Sequence, residues 1–378
     1  AALILDKKNN KVFFFRDNLG IKPLYYYINK NVFIVCSSLK AIKNISSENR
    51  INKNSLITFM RFGFTYGPDT IYQNIFEVEN GYEYSINLNN FKLDKKIFFE
   101  YNALSRSTNV MSPSNLLSNT VKIHLTSDVK VTSLKSKGLD SNLIYNYQKK
   151  NNHDDYFYYD LDRNIIEHHQ NNKLEKLEIN KSYGNYFDKY LDSLEYPTID
   201  GFNTFLLTKY VNKFDYKVCL SGLGLDEILN GYGLLKKIQI LKFSRKFFPK
   251  IMLNKNFSKK IRKLLSTKNN FNFIDYYLLI RSINLNSDLS EYFDAKEIDN
   301  NYDQLQQSLK EKTIFDNNFS EKNDHFLLLM LELNFYLKNQ LLKDSDYFSM
   351  LNSVELRVPF VQKKFIKGLV SSNKNKLN

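Results

Sequence analysis

Two short segments carry residue types suited to phosphate chemistry, and they share one layout. The first runs Ser136-Lys137-Gly138-Leu139-Asp140-Ser141, and the second runs Ser221-Gly222-Leu223-Gly224-Leu225-Asp226-Glu227. Each follows an apolar run that reads as a strand, turns through Ser and Gly, and delivers an Asp to the start of a helical pattern. Glycine lets a backbone approach a ligand closely, and unpaired amides at a helix N-terminus attract anionic oxygens. A carboxylate at that point repels phosphate unless Mg²⁺ lies between them. In a parallel sheet both turns emerge at the carboxyl edge, where such folds place ligands. Either turn alone is an ordinary structural corner with a capping Asp; the pair points to a Mg²⁺–nucleotide site.

Other reactive side chains say less. Glu167-His168-His169 has the composition of a metal cluster, but it reads as a solvated helix face on which adjacent histidines point apart. Glu195 and Asp200, ahead of Gly201, read as surface carboxylates, with the positioning of an amine or substrate as the alternative. Phe13-Phe14-Phe15 and Tyr25-Tyr26-Tyr27 suit a β-core better than a platform for stacking bases. The cysteines, Cys36 and Cys219, are too few for a disulfide scaffold and fit a reducing cytosol.

The elements that must position these residues fall into two patterns. Over 1–99 short β-branched or aromatic runs alternate with Asn-, Lys- and Gly-containing turns, a strand-rich pattern. Ser, Asn and Thr dominate 103–119, which reads as a linker. Beyond it strands at 129–134, 156–159 and 216–220 alternate with helices from about Asp140 and Asp226, the signature of a parallel sheet covered by helices. The region after Leu234 is mostly helical, with a core helix over 326–338. No apolar run is long enough for a membrane helix, and no signal peptide is visible, so a cytoplasmic protein without membrane contact is expected. The charge of +14 comes mostly from Lys spread along the chain among Asn, including Lys236-Lys237, Lys259-Lys260 and Lys263. Nucleic-acid recognition favours clustered Arg, so composition explains the surplus better than a nucleic-acid partner does.

Taken in order, the motifs resemble those of the glutamine-hydrolysing asparagine synthetases. Ser127-Asp128-Val129 and Ser136 to Ser141 are similar to that family's Ser-Gly-Gly-x-Asp-Ser pyrophosphate loop and its lead-in. Ser221 to Tyr232 resembles its second nucleotide loop. Leu341-Leu342-Lys343-Asp344, Ser349-Met350 and Glu355 to Phe360 resemble its helical signature. Nearer the start, Arg16-Asp17-Asn18-Leu19-Gly20-Ile21-Lys22-Pro23-Leu24-Tyr25-Tyr26, Asp69 to Tyr72 and Glu79-Asn80-Gly81 are similar to motifs of its glutaminase domain.

The resemblance implies an α/β protein: part of a glutaminase-type α/β sandwich over 1–102, a linker over 103–119, and a parallel-sheet adenine-nucleotide-binding domain over 120–378. That second domain would have a helical C-terminal part and be truncated at its C-terminus. It also implies a chemistry. ATP adenylates a carboxylate, aspartate or another acid, with release of pyrophosphate, and ammonia from glutamine then displaces AMP to leave an amide. Asp140 and Asp226 would be the Mg²⁺/pyrophosphate carboxylates. Ser136, Gly138 and Ser141 would cradle phosphate, while Ser221 and Gly222 would touch the nucleotide. No residue of this chain matches the family's glutaminase nucleophile, an N-terminal Cys, so glutamine hydrolysis by this stretch alone is not expected. A homodimer is one open option for its assembly.

Several residues depart from the family pattern. Lys137 stands where Gly is usual, to obstruct the loop or to offer pyrophosphate a cation. Lys135 replaces an apolar residue near the adenine, where burial would depress its pKa or distort the strand. Asn142 replaces a second Ser, and Leu223 replaces a Glu tied to forming aspartyl adenylate. These changes keep an alternative open: a catalytically degenerate member serving as a scaffold or interaction protein.

Overall fold

A computed structural model describes residues 1–99, 111–160, 163, 165–170, 173–178, 183–247, 271–313 and 324–372. The first hundred residues fold as two antiparallel sheets. One has the order β1-β2-β6-β7, formed by β1 (Ala2–Asp6), β2 (Lys11–Phe15), β6 (Tyr82–Asn87) and β7 (Leu93–Ile97). The other has the order β4-β3-β5, formed by β3 (Tyr25–Ile28), β4 (Phe33–Cys36) and β5 (Ile75–Glu77). Alternation explains the pairing. Val12 and Phe14 of β2 join Tyr84 and Ile86 of β6 in a core that also takes in Tyr26, Phe33 and Val35. The opposite face of the second sheet, Tyr25 and Tyr27, packs on Leu39 and Ile42 of α1 (Leu39–Ser46). A second helix, α2 (Lys53–Phe62), is capped by the Asn52 side chain and stopped by Gly63 in a left-handed conformation.

The segment read as linker enters α3 (Pro113–His124) at Pro113, with Ser112 as N-cap accepting from the Asn115 amide at 3.4 Å. Helix, not linker, occupies 113–119 because this Ser-Pro start outweighs the polar composition that follows. The rest of the predicted linker, 103–110, lies outside the described residues, as do Lys259, Lys260 and Lys263. Lys236 and Lys237 are exposed on α8 (Leu234–Phe247).

A six-stranded sheet follows, with the order β11-β10-β9-β8-β12-β13. Its strands are β8 (Val131–Lys135), β9 (Tyr156–Asp160), β10 (Ile165–Gln170), β11 (Lys173–Glu178), β12 (Val218–Leu220) and β13 (Glu355–Arg357). β9, β8, β12 and β13 are mutually parallel, while β10 and β11 continue antiparallel from β9. Val131 to Leu134 and all of β12 are buried, as expected for parallel strands covered on both faces. One face carries α3 and α4 (Leu139–Lys149). The other carries α6 (Phe202–Lys213), with α5 (Tyr183–Ser193) against α6.

The expected core helix over 326–338 belongs to a longer helical run. It passes from α-helix (Asp324–Leu331) through π-helix (Glu332–Leu342) back to α-helix (Lys343–Leu351), and most of its residues are buried. The wider π turns bring Lys338 to Asn80 and Asn339 to Gly67, and Lys343, at the start of the following α-helix, reaches Glu77 of β5. Among the described residues no helix is long and apolar enough to cross a membrane.

Candidate active site

β8 and β12 lie side by side and parallel, with Val218 opposite Val131 and Leu220 opposite Ser133. Both Ser/Gly turns therefore leave the sheet at one edge, the carboxyl edge, as the sequence predicts. The second turn leads into α7 (Leu225–Leu229). The turns touch at Gly222, where a Cβ would sit 2.7 Å from the Ser141 amide nitrogen and 2.8 Å from the Asp140 carbonyl carbon. Only glycine allows that approach.

Close approach sets the electrostatics. The Asp140 carboxylate takes a hydrogen bond from the Asp226 amide. Burial, and then the charges of Asp226 and Glu227, push the Asp140 pKa up to about 6. Glu227 is buried as well, and burial raises its pKa, although the Tyr232 hydroxyl donates to it at 2.6 Å. Asp226 itself is exposed and folds over Gly231, where a Cβ would lie 1.9 Å from its Oδ1. A divalent cation at this edge would relieve this crowding of carboxylates, so the donor set fits Mg²⁺. Among the described residues no three His, Cys, Asp or Glu side chains form a metal-holding group of their own. A cation here would take most of its ligands from phosphate and water.

The first turn is closed on itself. Ser141 Oγ accepts from the Ser136 amide at 2.9 Å and donates to Gly138 O at 3.1 Å, while Ser136 Oγ accepts from the Gly138 amide at 3.1 Å. Asn142 Nδ2 donates to Ser136 O at 2.9 Å and to Gly138 O at 2.7 Å, stapling the turn shut. Lys137 does not obstruct the turn, because its ammonium is drawn aside into an ion pair with Asp160. Lys135 leaves the strand undistorted. Its ammonium lies 4.3 Å from the ring centre of Tyr145 and 4.6 Å from that of Tyr156, and burial lowers its pKa. Leu223 is half-buried and packs on the main core.

Two expectations need correcting. Glu167, His168 and His169 lie on the strand β10, not on a helix, paired between β9 and β11. His168 points inward and stacks on Phe157 at 4.5 Å, whereas His169 faces the other way and stacks on Tyr156 at 4.3 Å. Glu195 is not a free surface carboxylate: it accepts from Ser38 Oγ at 2.8 Å and from the Lys40 amide at 3.2 Å, at the start of α1. Cys36, in β4, and Cys219, fully buried in β12, are free thiols.

The asparagine synthase family profile matches residues 114–373, and a glutamine amidotransferase domain profile matches residues 1–98. The chain belongs to the asparagine synthase family. It is 26% identical to asparagine synthetase (glutamine-hydrolyzing) 1 of Bacillus subtilis over 96% of its own length and 60% of that protein. It is 30% identical to a Methanocaldococcus jannaschii protein provisionally named asparagine synthetase (glutamine-hydrolyzing) 2, over 79% of its own length and 61% of that protein. The chain thus spans about three fifths of the length of these relatives.

Charged residues gather at two further places that the sequence did not disclose. Arg16 of the first motif is buried, pairs with Glu77, and donates to Gly20 O at 2.8 Å and Val78 O at 3.0 Å. Lys343 reaches Glu77 at 3.3 Å from the long helical run, and Lys338 Nζ donates to Asn80 Oδ1 at 3.0 Å. Burial alone would raise the Glu77 pKa, but Lys343 and Arg16 hold it well below the usual carboxylate range. Beside the second turn, Arg281 pairs with buried Glu332 and stacks 3.6 Å over Tyr336. Charged residues inside an apolar helical stretch were the available signal; their partners lie too far along the chain to be read from it.

Proposed function

We propose that this chain forms the body of a glutamine-dependent, carboxylate-amidating ligase. A carboxylate oxygen of the acyl substrate attacks the α-phosphorus of ATP, the Pα–O–Pβ bond breaks, and pyrophosphate leaves. Ammonia derived from glutamine then attacks the acyl carbon, the bond to AMP breaks, and an amide remains. Ser136, Gly138 and Ser141 cradle the leaving pyrophosphate, and Ser221 with Gly222 lies against the nucleotide. Asp140 and Asp226 would hold Mg²⁺, which when bound would supply neutralisation of charge on the leaving pyrophosphate. Because Leu223 is apolar where aspartate-activating relatives carry Glu, the acyl substrate is aspartate or another acid. The free thiols of Cys36 and Cys219 suit the reducing cytoplasm.

The observation that carries this reading is the contact of the two turns at Gly222, which gathers Asp140, Asp226 and Glu227 at one sheet edge. The test is pyrophosphate release from MgATP with ammonium as nitrogen donor, across a panel of carboxylic acids that includes aspartate. Release should require both acid and ammonium. Asp140→Ala and Asp226→Ala should each lower it by about 10²–10³-fold; rates that do not change sink the assignment.

The closed first turn favours a second reading, a scaffold that keeps the fold without the chemistry. Its phosphate-facing hydroxyls and amides already bond to one another. Calorimetry with MgATP separates the two, since a scaffold shows no saturable binding.

A further inference from the structure

A cavity of about 530 Å³ lies between α2 and the C-terminal helices, and it shares no lining residue with the nucleotide turns. Its walls come from Phe273–Arg281, Asn286–Leu289 and Ala295–Thr313, and from Arg61 in the last turn of α2. That size is within the range of small-molecule sites.

Arg61 is the unexplained feature. It is only 3% exposed, yet among the described residues no carboxylate forms an ion pair with it. Nη1 donates to Asn286 Oδ1 at 2.6 Å, whereas Nε and Nη2 are buried with no hydrogen-bond partner. Burial pushes its pKa down to about 10, and Tyr302, whose ring centre lies 5.4 Å away, and Asp299 offset that only in part. Asp275 also lines the cavity but is already engaged: its Oδ1 accepts from Tyr302 at 2.9 Å and Gln306 at 2.6 Å, and its Oδ2 accepts from the Asn272 amide at 2.8 Å. A buried guanidinium left with two idle donors costs free energy that a planar carboxylate would return through paired hydrogen bonds.

The remaining lining sorts by chemistry. Asp299 and Asp303 are exposed and carry negative charge at the cavity's edge. Leu279 and Ile298 give it an apolar wall. A buried cation, exposed carboxylates and an apolar wall match a zwitterion with an apolar side chain.

We propose that this cavity binds a free α-amino acid with an apolar side chain. Its carboxylate turns the Arg61 guanidinium toward it and takes the idle donors, and its ammonium faces Asp299 and Asp303. Because α2 belongs to the N-terminal sandwich and the other walls to the helical region, occupancy ties the two together.

Three probes of one skeleton test this by calorimetry and saturation-transfer NMR on the full chain: L-leucine, isocaproate, which lacks the ammonium, and isoamylamine, which lacks the carboxylate. Leucine should bind, with each truncated probe weaker by about tenfold or more. Arg61→Met should abolish leucine binding without lowering the melting temperature, because it removes an unpaired buried charge. Asp299→Asn, at an exposed position, should weaken leucine by about tenfold and erase its advantage over isocaproate. If Arg61→Met fails to fold, Asp299→Asn decides the matter alone. No leucine signal at millimolar concentration, isocaproate binding as tightly as leucine, or unchanged affinity in these variants overturns the proposal.

Discussion

At the corner after β8, hydroxyls and amides from Ser136 to Asn142 turn inward and satisfy one another. At the corner after β12 the Leu223 amide donates to Ser221 Oγ at 3.3 Å, while the other polar groups turn outward or toward neighbours. The Ser221 amide bonds to Arg357 O at 2.9 Å, Asp226 stays exposed, and Glu227 sinks toward Tyr232. Both corners follow the same strand–turn–helix plan with an Asp in the first helical turn. What differs is the competition for donors. Asn142 and the two serines can reach the first turn's own backbone, and they take it over. The second turn has glycine at Gly222 and Gly224, so its backbone packs directly on the Ser141 and Asp140 backbone and on the Val361 side chain instead. A phosphate-binding corner depends on what its donors are doing as much as on the residues that spell it.

The largest effect should come from parting the corners. Gly222→Ala places a methyl within van der Waals overlap of the Ser141 and Asp140 backbone, which has no flexible end to yield. The loops must separate, with a stability cost of about 1–3 kcal/mol by chemical denaturation. Pyrophosphate release should fall by roughly 10²-fold, because an ångström of misplacement is enough to lose that much. Full activity in Gly222→Ala would mean that the two corners work independently.

How much of this was legible in the sequence depends on range. The corners were readable because Gly, Ser and Asp sit next to the strands and helices they join. Their placement on one edge followed from strand–helix alternation. Glu167-His168-His169 was misread because three polar residues cannot report their own period; Ile166 and His168 share an inward face only once β9 and β11 are in place on either side. The helix at Pro113 had a local signal, Ser112 before Pro113, masked by polar composition. The Arg16–Glu77–Lys343 cluster and the Arg281–Glu332 pair had no such signal, since each joins residues dozens to hundreds of positions apart. The closure of the first turn was hidden for another reason: a hydroxyl's partner is settled by torsions that composition does not report.

A smaller effect tests the electrostatic half of the comparison. Asp140 ordinarily titrates near 3.8 but is raised to about 6 in the fold. Between those values the native state holds the proton that the unfolded state has lost, so this group's contribution to stability falls as pH rises from about 4 to 6 and stays reduced above that window. Asp140→Asn removes the dependence. The variant should gain melting temperature over the parent as pH rises through the window, and should hold that gain at pH 7 while releasing no pyrophosphate. Saturating MgATP should shrink the difference by stabilising the parent's charged carboxylate. An advantage that is the same at pH 4 and pH 7 would mean that Asp140 is strained neither by burial nor by Asp226 and Glu227.

The smallest effect bears on the closed corner itself. Asn142→Ala removes two hydrogen bonds to the carbonyls of Ser136 and Gly138 and should cost about 0.5–1.5 kcal/mol for each bond lost. If the staple keeps the turn shut against phosphate, the same variant should bind MgATP more tightly, so that stability and affinity move in opposite directions. Asn142→Ser, which puts back a residue common in the family, should give a gain in affinity at a lower cost than Asn142→Ala, because its hydroxyl can keep a bond to one of those carbonyls. Affinity that falls together with stability would place Asn142 among the groups that shape the phosphate cradle, and the first corner would then stand ready for ligand in the form the structure shows.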